Sequence, residues 1–199
     1  MNIRILGMRQ PFPAGETGLV INVCSNAETD WQNDLSPFKL GPCLMENGLT
    51  ALNMENAWQF AKVYAVHADA DGKPTEAYWD WAMAGWNNPR AVRYPMGRGA
   101  RPLYSLCGDE RLGYVESRKR VYAPLYMKAV RETNEFKHLT ELAQTNTLWL
   151  RDFDGYDHVA KGLSLTDVLN LSSRKMGHAF VLAMMLTNDE ALKQITAAP

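Results

Sequence analysis

Apolar and polar positions along the chain follow two periods, one of strands and one of helices. Met1 to Pro13 alternates weakly and ends in Pro-Phe-Pro, which predicts a short strand and a turn. Gly18 to Cys24 is a compact β-branched run, a second strand. Residues 26–33 are a polar loop, and Glu46-Asn47-Gly48-Leu49-Thr50 is a hairpin turn centred on Asn-Gly. Asn53 is placed to cap a helix over Met54 to Lys62, and an aromatic helix is predicted over Glu76 to Trp86. Helical spacing returns over Gly113 to Val130, where Pro124 should kink or divide it, and over Glu135 to Gln144. Thr147 to Leu150 is a short apolar strand. Two helices, Leu163 to Leu171 and Ser173 to Leu186, finish the fold, with Gly177 marking close helix packing and His178 a structural histidine; Ile195 to Pro199 should fray. The expected class is α+β, mainly helical, a single domain over residues 1–199 with a few short strands near the N-terminus.

The helix Met54 to Lys62 carries a polar stripe where an amphipathic helix is normally apolar. Glu55, Trp58, Gln59 and Lys62 fall at i, i+3, i+4 and i+7 and share a face. An acid, an aromatic plate, an amide and an amine in one row can line a small-molecule pocket. Glu and Lys at this spacing also describe an ordinary solvated face.

Composition narrows the class of function. Hydrophobic residues make up 46% and charged residues 22%, a globular profile, and the net charge of -1 gives no overall case for nucleic-acid binding beyond a local groove. Cys24, Cys43 and Cys107 are far apart and form no CxxC pair, which argues against a zinc site or disulfide scaffold and suits a reducing cytoplasm. No apolar run approaches the ~20 residues needed to span a bilayer. A soluble cytoplasmic protein is expected.

Two further stretches offer chemistry. Residues 87–102 hold Arg90, Arg93, Arg98 and Arg101 among prolines and glycines, a loop suited either to anion binding or to plain solvation. Asp152, Asp154, Asp157 and His158 follow a strand, a place for acid–base or metal chemistry, although acidic turns with glycine also arise for conformational reasons. Residues 67–74 lack the full calcium-loop pattern.

These pieces, in order, resemble the NADAR family, which includes N-glycosidases of riboflavin-pathway intermediates and hydrolases that remove ADP-ribose from guanine. Leu35-Ser36-Pro37-Phe38 is similar to its early L-S-N/P-F segment, and Met54-Glu55-x-x-Trp58-Gln59-x-x-Lys62 to its helix with Glu, Gln and Lys at the same spacing. Asn88-Pro89-Arg90-Ala91 and Gly97-Arg98 resemble the N-P-x-x-A and G-R elements. Arg118 to Lys128, Thr145 to Asp157 and Lys175-Met176-Gly177 are similar to later segments. The chain departs at Asn56, where the family commonly has histidine, and at His158-Val159, where it usually has Trp-Gly. Residues 64–87 and 101–113 read as insertions.

The resemblance implies cleavage of an N-glycosidic bond to ribose. Lys62 would attack C1 as a Schiff-base nucleophile, Glu55 would move protons, and Asp157, or Asp152 in another register, would hold ribose hydroxyls or act as the second acid–base group. Trp58 would stack on a base or sugar; Gln59 and Asn88 complete the expected binding set, and Arg90, Arg98 and Arg101 would hold phosphates. No metal and no cofactor is expected. The expected partner is an ADP-ribosyl or ribosyl-phosphate substrate, free or on a modified nucleic-acid base, and not a membrane. A module that binds ADP-ribose or a related nucleotide without cleaving it is the rival, and a scaffold with a solvent-facing stripe is the second.

Overall fold

The computed structural model describes residues 1–195. In chain order the elements are β1 (Ile3–Gly7), β2 (Leu19–Asn22), α1 (Asp30–Asn33), β3 (Cys43–Leu44), β4 (Thr50–Ala51), α2 (Met54–Gln59), β5 (Lys62–Val63), α3 (Glu76–Trp86), β6 (Tyr104–Cys107) and β7 (Glu110–Leu112). Then follow α4 (Tyr114–Ser117), a π-helical segment (Arg118–Tyr122), α5 (Ala123–Val130), α6 (Asn134–Thr145), β8 (Leu148–Asp152), α7 (Leu165–Asn170) and α8 (His178–Thr187). The class is mixed α and β, as expected, but the strands are not confined to the N-terminal part.

The main sheet has the order β1-β8-β2, and both pairs are parallel. Leu150 of β8 is in register with Ile5 on one side and Ile21 on the other. A strand from late in the chain thus sits between two from its start. Leu148, Trp149 and Leu150 are all buried, the continuous apolar run that a central parallel strand requires. Against this sheet packs α8, whose residues His178 to Met184 are buried without a break. A helix apolar on every side is a core helix.

The second sheet, β5-β6-β7, is antiparallel and comes from the middle of the chain. Its β6–β7 hairpin lies within residues 101–113, and α3 lies within residues 64–87, so both stretches read as insertions carry regular structure. The Asn47-Gly48 turn joins β3 to β4 as expected, with Gly48 at φ +76°.

Three boundaries differ from the periodic reading. The helix expected to reach Lys62 stops at Gln59, and Lys62 and Val63 pair instead as a strand with Ser105 and Tyr104 of β6. Tyr78 donates its hydroxyl to the Phe60 carbonyl at 3.1 Å, and the Leu106 N–H bonds Ala61 at 2.8 Å. The segment Gly113 to Val130 is divided, with Pro124 in the first turn of α5 and the five-residue π-helical stretch just before it. Proline has no N–H to give, so the ladder changes its spacing there.

The last helix begins at His178 rather than Ser173. The chain before it is held irregular by Arg118, a buried guanidinium that donates to the carbonyls of Val168, Leu171 and Arg174. Gly177 is its N-cap, and its role is a close approach to a side chain rather than helix packing. A Cβ there would overlap the carboxylate of Asp152, which accepts the Ala179 N–H at 3.0 Å. Gly177→Ala should therefore cost about 2 kcal/mol or more, read as a lower urea midpoint at unchanged slope.

Among the described residues no helix is long and apolar enough to cross a membrane. Of the tail expected to fray, residues 196–199 lie outside those described.

Candidate active site

Between α2, the loop before β6 and the start of α8 lies a cleft of about 760 Å³. Its floor is the polar stripe of α2. Asn53 sets the helix by accepting the Asn56 N–H at 2.9 Å, as its position predicted. Glu55 is buried at 7% exposure and accepts from the Gln59 amide at 2.9 Å. The other end of that amide accepts from Lys62 Nζ at 2.6 Å. Lysine can only donate, so the Gln59 oxygen must face Lys62 and its nitrogen must face Glu55. Lys62 reaches this place from β5, not from the helix, and lies 4.4 Å from the centre of the Trp58 ring. The backbone turn after Gln59 brings the amine back beside the stripe.

Burial governs both ionisable ends of this row. It pulls the Lys62 amine from 10.5 down to about 8, against the attraction of Glu55, with Lys175 pulling in the same direction. Burial also pushes the Glu55 carboxyl up, opposed by the Gln59 hydrogen bond and by Lys62, Arg93 and His178. A partly neutral amine and an acid that keeps its proton longer than usual therefore share one floor. Paired departures of this kind are characteristic of sites that do chemistry.

Of the residues expected from the sequence, Glu55, Trp58, Gln59, Lys62, Arg98 and Asp152 line the cleft. Four do not. Asp157 is turned away, its carboxylate bound to Arg4 of β1 at 2.8 Å and to the Ala160 N–H at 3.0 Å. It ties a turn to the sheet, so its expected place beside the ribose is corrected. Arg90 and Arg101 are exposed outside the cleft, and Asn88 also lies outside it; its main-chain carbonyl accepts from Asn53 and Asn56 while its side-chain oxygen accepts the Arg90 N–H at 2.9 Å. Asp152 borders the cleft, but its oxygens are occupied by the N–H groups of Ala179 and Asp154, with His178 Nδ1 at 3.2 Å. Its role is to hold the protein together rather than a sugar. His178, read as structural, has its other ring nitrogen 2.6 Å from the Val23 carbonyl.

Residues that the sequence reading left out complete the walls. Arg93, Tyr94 and Lys175 stand around Asp154 at one side, while Phe38 and Tyr122 add aromatic surface. Arg93 was visible only as one arginine among four in its loop. What singles it out is Asn56, fully buried, which donates to the carbonyls of Asn88 and Arg90 and accepts the Val92 N–H at 2.8 Å. The loop is thereby clamped so that the next residue, Arg93, enters the cleft. Asn56→Ala removes all three bonds and should cost about 2 kcal/mol, with faster proteolysis of residues 88–93 as the local readout.

No curated protein and no solved structure matches the chain. A family model matches residues 6–169, a span that takes in the whole α2 floor, the arginine loop and Asp154 but ends before Lys175 and α8. The chain belongs to DUF6939, a family of unknown function.

Proposed function

We propose that this protein is an N-glycosidase that hydrolyses the bond between a ribose C1 and a nitrogen, on an ADP-ribosylated base or a phosphorylated ribosyl-amine metabolite. The reading rests first on Lys62, a buried amine with a lowered pKa at the floor of a nucleotide-sized cleft. The ordered similarity of the motifs to the NADAR family adds to it. So does the set of groups around the amine: an aromatic plate in Trp58, a raised carboxyl in Glu55 and cations at the mouth. With three free thiols, the compartment we take for it is the cytoplasm.

In this mechanism the neutral Lys62 nitrogen attacks C1, and the C1–N bond breaks with its electron pair going to the departing base. Glu55 gives that nitrogen its proton. The ring oxygen then leaves C1, taking a proton from the attached Lys62 nitrogen, and a protonated imine forms between Lys62 and the open sugar. Water adds to C1 and returns a proton to Glu55. Collapse of the adduct frees the amine and the sugar, so the sum is one water consumed and one base and one ribosyl product released. Asp157 has no part in it. Asn56, at the position where the resemblance has a histidine, is spent on the arginine loop.

A second reading, a module that binds such a nucleotide without cleaving it, draws on one observation. Gln59 stands between the acid and the amine, so Glu55 has no direct bond to Lys62. The two readings part in one assay. Purified protein is incubated with an ADP-ribosylated guanine oligonucleotide and, separately, with phosphorylated riboflavin-pathway N-glycosides, and products are resolved by mass spectrometry. Release of ADP-ribose or ribose phosphate supports the hydrolase. Binding of ADP-ribose in calorimetry with no product from either panel would leave the binding module.

A further inference from the structure

At the mouth of the cleft three cations surround one tyrosine ring. The Arg93, Lys175 and Arg98 charges lie 5.3, 5.4 and 5.7 Å from the centre of Tyr94. Each charge is within cation–π range of that ring. A single carboxylate sits among them: Asp154 accepts from Arg93 at 2.7 Å and lies 3.9 Å from Lys175. Three positive charges stand against this one directly paired carboxylate, and Glu55 of the floor also acts on Arg93. Lys175 is 60% exposed and, among the described residues, its ammonium has polar contacts only with the Tyr94 hydroxyl at 3.4 Å and the edge of Asp154, which leaves it able to turn toward an incoming group. Arg93 and Asp154 are each about a quarter exposed and open to the cleft.

We propose that this corner is a phosphoryl-binding subsite in which Asp154 is a resident counter-ion that the ligand replaces on Arg93. Before the ligand arrives, Asp154 holds the Arg93 fork aimed into the cleft. A phosphate monoester carries more charge and more acceptor oxygens than a carboxylate, and a diphosphate matches that by its two linked groups. Either takes the fork in a bidentate contact while Lys175 and Arg98 close on the remaining oxygens. Asp154 is then released toward solvent. The exchange gives selectivity, because a neutral sugar cannot displace a paired carboxylate, whereas a phosphoryl group can. Both Lys175 and Asp154 act electrostatically on the Lys62 amine, so the corner and the floor belong to one site. The proposal takes from the functional reading only that the cleft binds a ribosyl compound, and it stands whether or not Lys62 does chemistry.

The test is calorimetric binding of ribose 5-phosphate and of ADP-ribose, with ribose and adenosine as the unphosphorylated arms. It uses the full chain, Arg93→Met, Lys175→Met and Asp154→Asn, with Lys62→Ala as the control for chemistry. The expected result is binding of at least one phosphorylated ligand at least tenfold tighter than its unphosphorylated counterpart. Ribose 5-phosphate against ADP-ribose tells a monoester from a diphosphate. Arg93→Met should weaken binding at least tenfold and Lys175→Met severalfold. Asp154→Asn should tighten it severalfold, since the competitor is gone. Lys62→Ala should keep the phosphoryl preference even if every activity assay fails. Lys175→Met changes only an exposed side chain and keeps the test valid should Arg93→Met misfold. Equal binding of phosphorylated and plain sugars, or no binding of either, overturns the subsite. Unchanged or weaker binding in Asp154→Asn overturns the exchange.

Discussion

Lys62→Ala should lose turnover by at least about 10³-fold while keeping its fold, because the proposed mechanism uses its amine as the nucleophile. Lys62→Arg should be equally inactive, since a guanidinium stays charged at any working pH and is no nucleophile. In the unaltered protein kcat/KM should be bell-shaped in pH, because the step needs Lys62 neutral and Glu55 protonated at once. Borohydride added during turnover should trap a covalent adduct on Lys62. A Lys62→Ala protein that still releases product would remove the nucleophile assignment.

The same residue makes an opposite prediction for stability. Holding Lys62 at about 8 instead of 10.5 costs folding on the order of 3 kcal/mol at neutral pH. Between those two values the unfolded chain binds a proton that the folded chain has released. Stability therefore rises with pH across that window, and the cost is present in full below it. Lys62→Met, which keeps the apolar stem against Trp58 and drops the charge, should be more stable at pH 7 by about 1 to 3 kcal/mol and inactive. Gain of stability with loss of activity is the signature of a group kept for chemistry. Loss of stability would mean instead that the Gln59 and Trp58 contacts outweigh the buried charge.

Asp152→Ala is expected to be the most damaging single change to the fold. The carboxylate sits buried at the end of β8, on the border of the cleft, and joins three elements. One oxygen takes the Asp154 N–H at 3.1 Å and the Cys24 thiol at 3.7 Å, and the other takes the Ala179 N–H in the first turn of α8, with His178 alongside. Removal leaves two backbone donors and a buried ring nitrogen without partners, a loss of about 3 to 5 kcal/mol. Asn at this position is no remedy. Both carboxylate oxygens face N–H groups, and an amide must turn its own NH₂ toward one of them. Asp152→Asn should thus fall within about 1 kcal/mol of the alanine variant in urea unfolding. Near-native stability of Asp152→Asn would show that the bonds to Asp154 and Ala179 matter less than their geometry suggests.

The aspartates show where sequence reading stops. Asp152, Asp154 and Asp157 stand within six positions on one acidic turn, and nothing in their spacing ranks them. Packing does. The first is enclosed between β8 and α8, the third is drawn to Arg4 across the sheet, and only Asp154 keeps its carboxylate at the cleft mouth beside cations. The arginines divide in the same way. Arg90 fits a motif and Arg101 was expected beside it, but Arg93 is the one that Asn56 delivers, because a buried amide saturated by three backbone groups fixes the loop's direction.

The sequence by itself determined what local physics can determine. Asn53 as a cap, Asn47-Gly48 as a turn, α3 and α6 to within a residue, and the polar face of α2 all follow from periodicity and short-range hydrogen bonding. The shared face of Glu55, Trp58 and Gln59 was legible for that reason too, whereas Lys62 joins them from β5 and not by helical spacing. Tertiary structure alone decided that the row is a cleft floor rather than a solvated face, since burial depends on the β6 hairpin, the π-helical segment and α8 closing over it. It also ended α2 at Gln59, by pairing Lys62 and Val63 with Ser105 and Tyr104 of β6. It placed β8 between β1 and β2 as well, a pairing across more than a hundred residues. Such contacts are chosen by the fit of whole surfaces, and no local window of the chain contains both sides of the fit.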